Sequence, residues 1–271
     1  MWNKLKKVYI WWPKTIILSD MQWPAPDGFH VPLQSEWQWL YTIMSWLGLT
    51  TTWDNWRINL HMPFAGYRSR SSAGIGSQGS NGRYWSSSPS ESSTNHNNAR
   101  YLWISSSSVG ANYSDPRTQG QSVRCFKDSF ELPTSSWTVI NGTLWGAWIF
   151  WNQTEWLISI TDWTTGYTIM DKNLWATTVY NDGDTLSGAN CGKYYQWWNN
   201  YWFPFTWSVT TSSTQVDTSY YWPWNYYSSN TFIIRNDDYR DWSNVQNNNL
   251  RWWVSQWTST KKIYPQVRPK E

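Results

Sequence analysis

Apolar residues recur at helical spacing in one convincing stretch. Between Ser35 and Gly48, Trp37, Leu40, Tyr41 and Met44 fall on one face and predict a helix. Ser35 offers an N-cap hydroxyl, Glu36 and Gln38 suit the first turn, and Gly48 supplies a stop. Val31-Pro32-Leu33 predicts an extended approach to it. A second helix is expected over roughly 241–250, with Trp242, Val245 and Leu250 as its apolar face. Elsewhere the pattern is short β segments between polar turns, at 101–104, 122–126, 156–160 and 167–170. Residues 69–99 and 207–230 read as long polar loops, and 129–155 as a linker or connecting strand. The pattern as a whole predicts an α+β protein of short twisted antiparallel strands, one or two helices and long loops.

Composition changes the picture through one residue type. The chain holds 28 Trp against 15 Gly. Many of the Trp stand where turn chemistry is expected, as in Trp53-Asp54-Asn55-Trp56, Trp163-Thr164-Thr165-Gly166 and Trp222-Pro223-Trp224-Asn225. Such positions favour Gly, because only Gly reaches positive φ without a Cβ clash. Two readings follow. Some of these Trp are glycines written through a codon table that reads UGA as Trp, or the chain carries a genuine aromatic-rich binding surface. The placement favours the first. Intact Trp at Trp53, Trp56, Trp222 and Trp224 in the natural product would count against it.

Charged residues are 14% of the chain and the net charge is +3, with basic clusters only near the ends. That balance argues against nucleic-acid binding, which needs a basic stripe on a recognition element. No apolar run approaches the ~18 residues of a transmembrane span. The apolar stretch after Lys4, Lys6 and Lys7 is too short for a signal peptide. The expectation is a product that stays inside, or one whose true start lies upstream. Cys125 and Cys191 allow one disulfide that spacing alone cannot assign.

Candidate chemistry is sparse. Gly74-Ile75-Gly76-Ser77-Gln78-Gly79 fits a dinucleotide fingerprint in letters, but polar loop sequence flanks it where a strand and helix are required. His30, His61 and His96 lack the partners of a hydrolytic triad or a zinc site. Asp182, Asp184, Asp237 and Asp238 sit in loop clusters and are candidate Ca²⁺ ligands, with Asx-turn chemistry the favoured alternative. Tyr221, Tyr226 and Tyr227 flank an aromatic turn and are candidates for stacking on a sugar face.

Several short motifs together resemble one family. Pro26-Asp27-Gly28-Phe29-His30-Val31-Pro32 followed by Glu36-Trp37 resembles the "P-x-G-[WF]-H-V-P … E-W" centre of the Fibrobacter succinogenes major paralogous domain. Gly82-Arg83-Tyr84-Trp85-Ser86-Ser87 is similar to its "G-x-Y-W-S-S", and Gly120-Gln121-Ser122-Val123-Arg124-Cys125 to its "G-x-S-V-R-C". The family's front half comes later. Asp162 to Tyr167 with Met170-Asp171-Lys172-Asn173-Leu174 resembles "D-x-x-G-x-x-Y-x-x-M-x-x-N-L", and Gly192 to Trp197, through Tyr195, resembles "G-x-x-Y-x-W".

The resemblance divides the chain into a tail (1–21), the back of one copy (22–128), a linker (129–160), the front of a second copy (161–265) and a tail (266–271). It implies a C-type-lectin-like fold, and it leaves Cys125 without the partner usual in the family. Residues 160–265 could supply the front that 22–128 lack, giving one circularly permuted domain; the alternative is two incomplete halves. The implied function is a non-catalytic surface or secreted module that binds a glycan or a cell-surface protein. The implied cofactor is none, or Ca²⁺. The other reading is a truncated piece of a repeat protein with no activity of its own.

Overall fold

The structure is a computed structural model that describes residues 24–49, 53–90, 97–130, 133–142, 146–162, 165–199, 201–205, 208–216, 230–236 and 241–244. Helix α1 (Gln34–Trp46) buries Trp37, Leu40, Ile43 and Met44. It starts two residues earlier than expected, so Leu33 and not Ser35 stands at the N-cap. Leu33 has no side-chain acceptor to offer. The Glu36 carboxylate instead turns back and accepts the Leu33 backbone N–H at 2.7 Å, which is the reciprocal half of a capping box.

Helix α2 (Trp53–Leu60) forms where a turn was expected. Trp56 and Leu60 lie four residues apart and both bury fully in the main core. That shared apolar stripe outweighs the turn preference of Asp54-Asn55, since tertiary burial rather than propensity stabilises a short helix. A third, single-turn helix, α3, spans Gly188–Cys191. The helix expected over 241–250 is not seen in its described part. Residues 241–244 bend around one bridge residue, with Val216 N–H donating to the Trp242 carbonyl at 3.0 Å and a bridge joining Val216 to Ser243.

The remaining elements are strands. In chain order they are β1 (Phe29–His30), β2 (Tyr67–Arg68), β3 (Ile75–Gly76), β4 (Asn81–Pro89), β5 (Asn98–Ser105), β6 (Val109–Pro116), β7 (Gly120–Gln121), β8 (Phe126–Lys127), β9 (Thr138–Gly142), β10 (Trp148–Asn152), β11 (Leu157–Thr161), β12 (Gly166–Met170), β13 (Tyr195–Gln196), β14 (Thr211–Ser212) and β15 (Phe232–Ile233). They form a six-stranded sheet β1-β8-β12-β11-β10-β9, a four-stranded sheet β13-β7-β2-β3, a three-stranded sheet β4-β5-β6 and the pair β14-β15. Only the last is parallel. The architecture is α+β, mostly antiparallel, with few helices.

Two expectations about connecting segments change. Residues 129–160, expected as a linker, carry β9, β10 and most of β11 in the centre and edge of the large sheet. Period-two alternation explains why: Ile149, Ile158, Ile160 and Ile169 face the helices, while Ser159 and Thr168 pair on the opposite side. Residues 69–99, expected as loops, contain β3 and the nine-residue β4.

The family-like segments do not fold apart. β12, from the later segment, pairs with β8 from the earlier one, and β13 pairs with β7. The main core lies between α1, α2, β4, β5 and the six-stranded sheet. A second core gathers Val31, Trp85, Val123 and Cys125 with Leu174, Tyr195 and Trp197.

Candidate functional site

Most of the motif residues singled out in the sequence converge around that second core. Trp37, from α1, donates its indole N–H to the Trp85 carbonyl at 3.3 Å. Trp85 in turn donates to the Tyr195 carbonyl at 2.8 Å. Trp197 donates to the Ser86 carbonyl at 2.9 Å, and Trp242 to the Trp197 carbonyl at 2.5 Å. These four indoles are fully buried, and each ties together segments distant in sequence. A buried indole needs such a partner, so position and polarity are satisfied at once. The Arg117 guanidinium lies 4.4 Å from the Trp197 ring and pairs with Asp241 at 3.3 Å, both side chains fully buried.

Arg124 is the second junction. Its Nε and Nη2 donate to Asn173 Oδ1 at 3.2 and 2.9 Å. Its Nη1 donates to the carbonyls of Leu60 and Met170 at 3.0 and 2.9 Å, and Nη2 also reaches the His61 carbonyl at 2.7 Å. Burial lowers the Arg124 pKa from its ordinary value. Asn173 completes the cage by donating to the Cys191 carbonyl at 3.0 Å. Leu174 packs in the second core and donates its backbone N–H to the Val123 carbonyl at 2.9 Å. Cys125 and Cys191 are both free and buried, so the disulfide allowed by spacing is not formed. Burial pushes the Cys191 thiol up to about 12 and Cys125 higher still, far from reactive.

His30 closes the β1–β8 edge. Its Nδ1 meets Asp128 Oδ1 at 2.9 Å and its Nε2 meets Glu36 Oε1 at 3.0 Å. Both ring nitrogens therefore face acceptors, which requires the doubly protonated imidazolium. Burial opposes that charge, but the field of Glu36 and the bonds from Asp128 and Glu36 outweigh it and raise the pKa to about 9. Gly28 precedes it with φ +80°, Phe29 pairs with Lys127, and Val31 and Pro32 lead into α1, Pro32 accepting the Ser87 N–H at 2.8 Å.

For His61 the sequence speaks only against a hydrolytic triad and a zinc site, and gives no sign of its setting. It has φ +51°. Its Nδ1 donates to the Tyr180 carbonyl at 2.9 Å, and its ring lies 4.3 Å from Trp151. Burial lowers its pKa to about 4, helped by Arg124 and opposed by the Tyr180 carbonyl. Trp151 also donates to Asp171 Oδ2 at 2.9 Å. His61 Nε2 and Asp171 Oδ1 are buried without hydrogen-bond partners among the described residues. No local pattern announces this cluster, because its members come from α2's end, β10 and the turn after β12.

Of the proposed calcium ligands, Asp182 forms an ion pair with Arg57. Asp184 accepts the Asn181 backbone N–H at 2.8 Å, a capping contact across the 181–184 turn. Asp237, Asp238, Tyr221, Tyr226, Tyr227 and His96 lie outside the described residues. Among the described residues no group of three or more His, Cys, Asp or Glu is placed to hold a metal ion. No described helix is long and apolar enough to cross a membrane. Residues 74–79 hold β3 and a turn leading into β4, not the helix a pyrophosphate would need.

Against known proteins, residues 49–126 match one family, a domain of unknown function (DUF8237). That stretch runs from the approach to α2 as far as the first residue of β8. No curated protein and no solved structure matches the chain.

Proposed function

We propose that the chain is a non-catalytic binding or adhesion module of the Fibrobacter succinogenes major paralogous domain type. In this reading residues 161–265 complete 22–128 as one circularly permuted, C-type-lectin-like domain. The parent protein works outside the cell or on its surface, and the partner is a glycan or a cell-surface protein. One observation carries the proposal. Arg124, Asn173, His30, Glu36, Trp85 and Trp197 all direct their polar atoms into bonds within the fold. Side chains so engaged build a frame and leave recognition to the loops displayed on it. Cys125 and Cys191, buried with raised pKa, offer no thiolate nucleophile.

The test is an array of immobilised glycans, together with a pull-down from cell-surface extracts, using the full chain at high concentration. Saturable binding to one glycan class or one surface protein is expected. Silence across both panels, or turnover of a presented substrate, would remove the reading.

A further inference from the structure

We propose that positions 156, 175 and 198 are glycine in the natural product, while positions 37, 85, 197 and 242 are tryptophan. Six non-glycine residues among those described have φ in the left-handed region, and three of them are Trp156, Trp175 and Trp198, at +61°, +63° and +63°. Bulky side chains avoid this region; Asn and Asp are the residues that visit it, and neither appears among the six.

The local geometry explains the demand. Ala176 N–H donates to the Asn173 carbonyl at 2.9 Å, which closes a four-residue turn with Trp175 in its third place. Asn199 N–H donates to the Gln196 carbonyl at 2.9 Å and closes a second such turn with Trp198 in the same place. Positive φ at the third residue is the type II pattern, which calls for Gly. Trp156 is the last residue of the loop that joins β10 to β11, where the register sets Asn152 opposite Leu157.

None of the three turns is free to relax. Leu174 N–H donates to the Val123 carbonyl, and Lys193 N–H to the Leu174 carbonyl. A Cβ on Gly192 would strike the same Leu174 carbonyl, so the chain there has no room to shift. Gln196 is held by bonds to the carbonyls of Thr118 and Ile233, each 2.7 Å. The Trp156 carbonyl accepts from Asp171 N–H at 2.9 Å.

The side chains at two of the three turns follow the division, while Trp198 is half-buried against the second core and rests on its backbone alone. Trp156 and Trp175 are 45% and 60% exposed, so their indoles gain little burial. Trp37, Trp85, Trp197 and Trp242 are at most 2% exposed, and each indole N–H reaches a carbonyl. One letter of the sequence therefore stands for two residues. A codon read as Gly in the producing cell and as Trp in translation on paper has that effect. The consequence for the surface is direct: Trp156 and Trp175 are not platforms for stacking a ligand.

Two measurements test this. Peptide mass spectrometry of the protein from its own cell should find Gly at 156, 175 and 198 and Trp at 37, 85, 197 and 242; Trp at any of the three turns would overturn the proposal. In the full recombinant chain, W156G, W175G and W198G should each raise the melting midpoint by about 3 °C. W175A should gain less than W175G, because its Cβ keeps the backbone strain. W85G and W197G should lower the midpoint sharply. Equal gains for W175A and W175G, or a loss on W175G, would overturn the backbone argument.

Discussion

His30 and His61 are the same side chain held in opposite charge states. His30 sits between Asp128 and Glu36 and keeps its proton up to about pH 9. His61 is buried beside Arg124, donates one N–H to a neutral carbonyl, and stays unprotonated down to about pH 4. The difference lies in what surrounds each ring. Two carboxylates reward a positive imidazole at His30, whereas at His61 burial penalises it, with the nearby Arg124 guanidinium adding to the effect. The two sites therefore lean on stability from opposite sides. His30 is raised above the unfolded value of 6.5, so its contribution is complete below that pH and is lost as pH climbs through about 9. His61 is depressed below 6.5, so its contribution is complete above that pH and is lost as pH falls toward about 4. From these two groups alone, stability should peak near pH 6.5.

The largest test removes the cation beside His61. Arg124→Met leaves several buried carbonyls and Asn173 Oδ1 without a donor. It should cost about 3–5 kcal/mol in denaturant unfolding at pH 7, and the His61 ring should titrate at higher pH by NMR. An unchanged His61 titration would separate that histidine from Arg124.

His30→Gln comes next. It should lose roughly 2–3 kcal/mol at pH 6 and almost nothing at pH 10, flattening the alkaline limb of the stability profile. If the alkaline limb survives in His30→Gln, the clamp is not its source.

His61→Asn should change stability by less than about 1 kcal/mol at pH 8, because Asn tolerates positive φ. Its acid limb between pH 6.5 and 4 should become shallower; a melting series over that range reads this directly. The smallest effect is expected from Asp182→Asn. It breaks a partly exposed pair with Arg57, and should cost under about 1 kcal/mol in denaturant unfolding. A larger loss there would mean the 181–184 turn does more than cap itself.

Sequence pattern reached the elements with a clear period. The helix over Trp37, Leu40 and Met44 is where its apolar spacing put it, and the strand reading of 156–160 matches β11. The pattern failed at α2, where Trp53-Asp54-Asn55-Trp56 has turn letters but Trp56 is buried. Over 129–155 it left a linker or a connecting strand open, and β9 and β10 form there at the edge of the large sheet. For the candidate site, the motif residues were visible one by one. Their meeting was not, because the indole-to-carbonyl bonds of Trp85 and Trp197 join residues 110 and 111 positions apart. The pairing of His61 with Trp151 carried no local signal at all.

By itself the sequence determined the α+β character and the face of α1. These depend on spacing and backbone sterics within a few residues, which any reader of the chain can measure. Tertiary structure alone decided which Trp is core and which is a strained turn, and which histidine carries a charge. Burial, and the carboxylates or guanidinium brought alongside, are properties of the folded neighbourhood; identical letters acquire opposite roles only there.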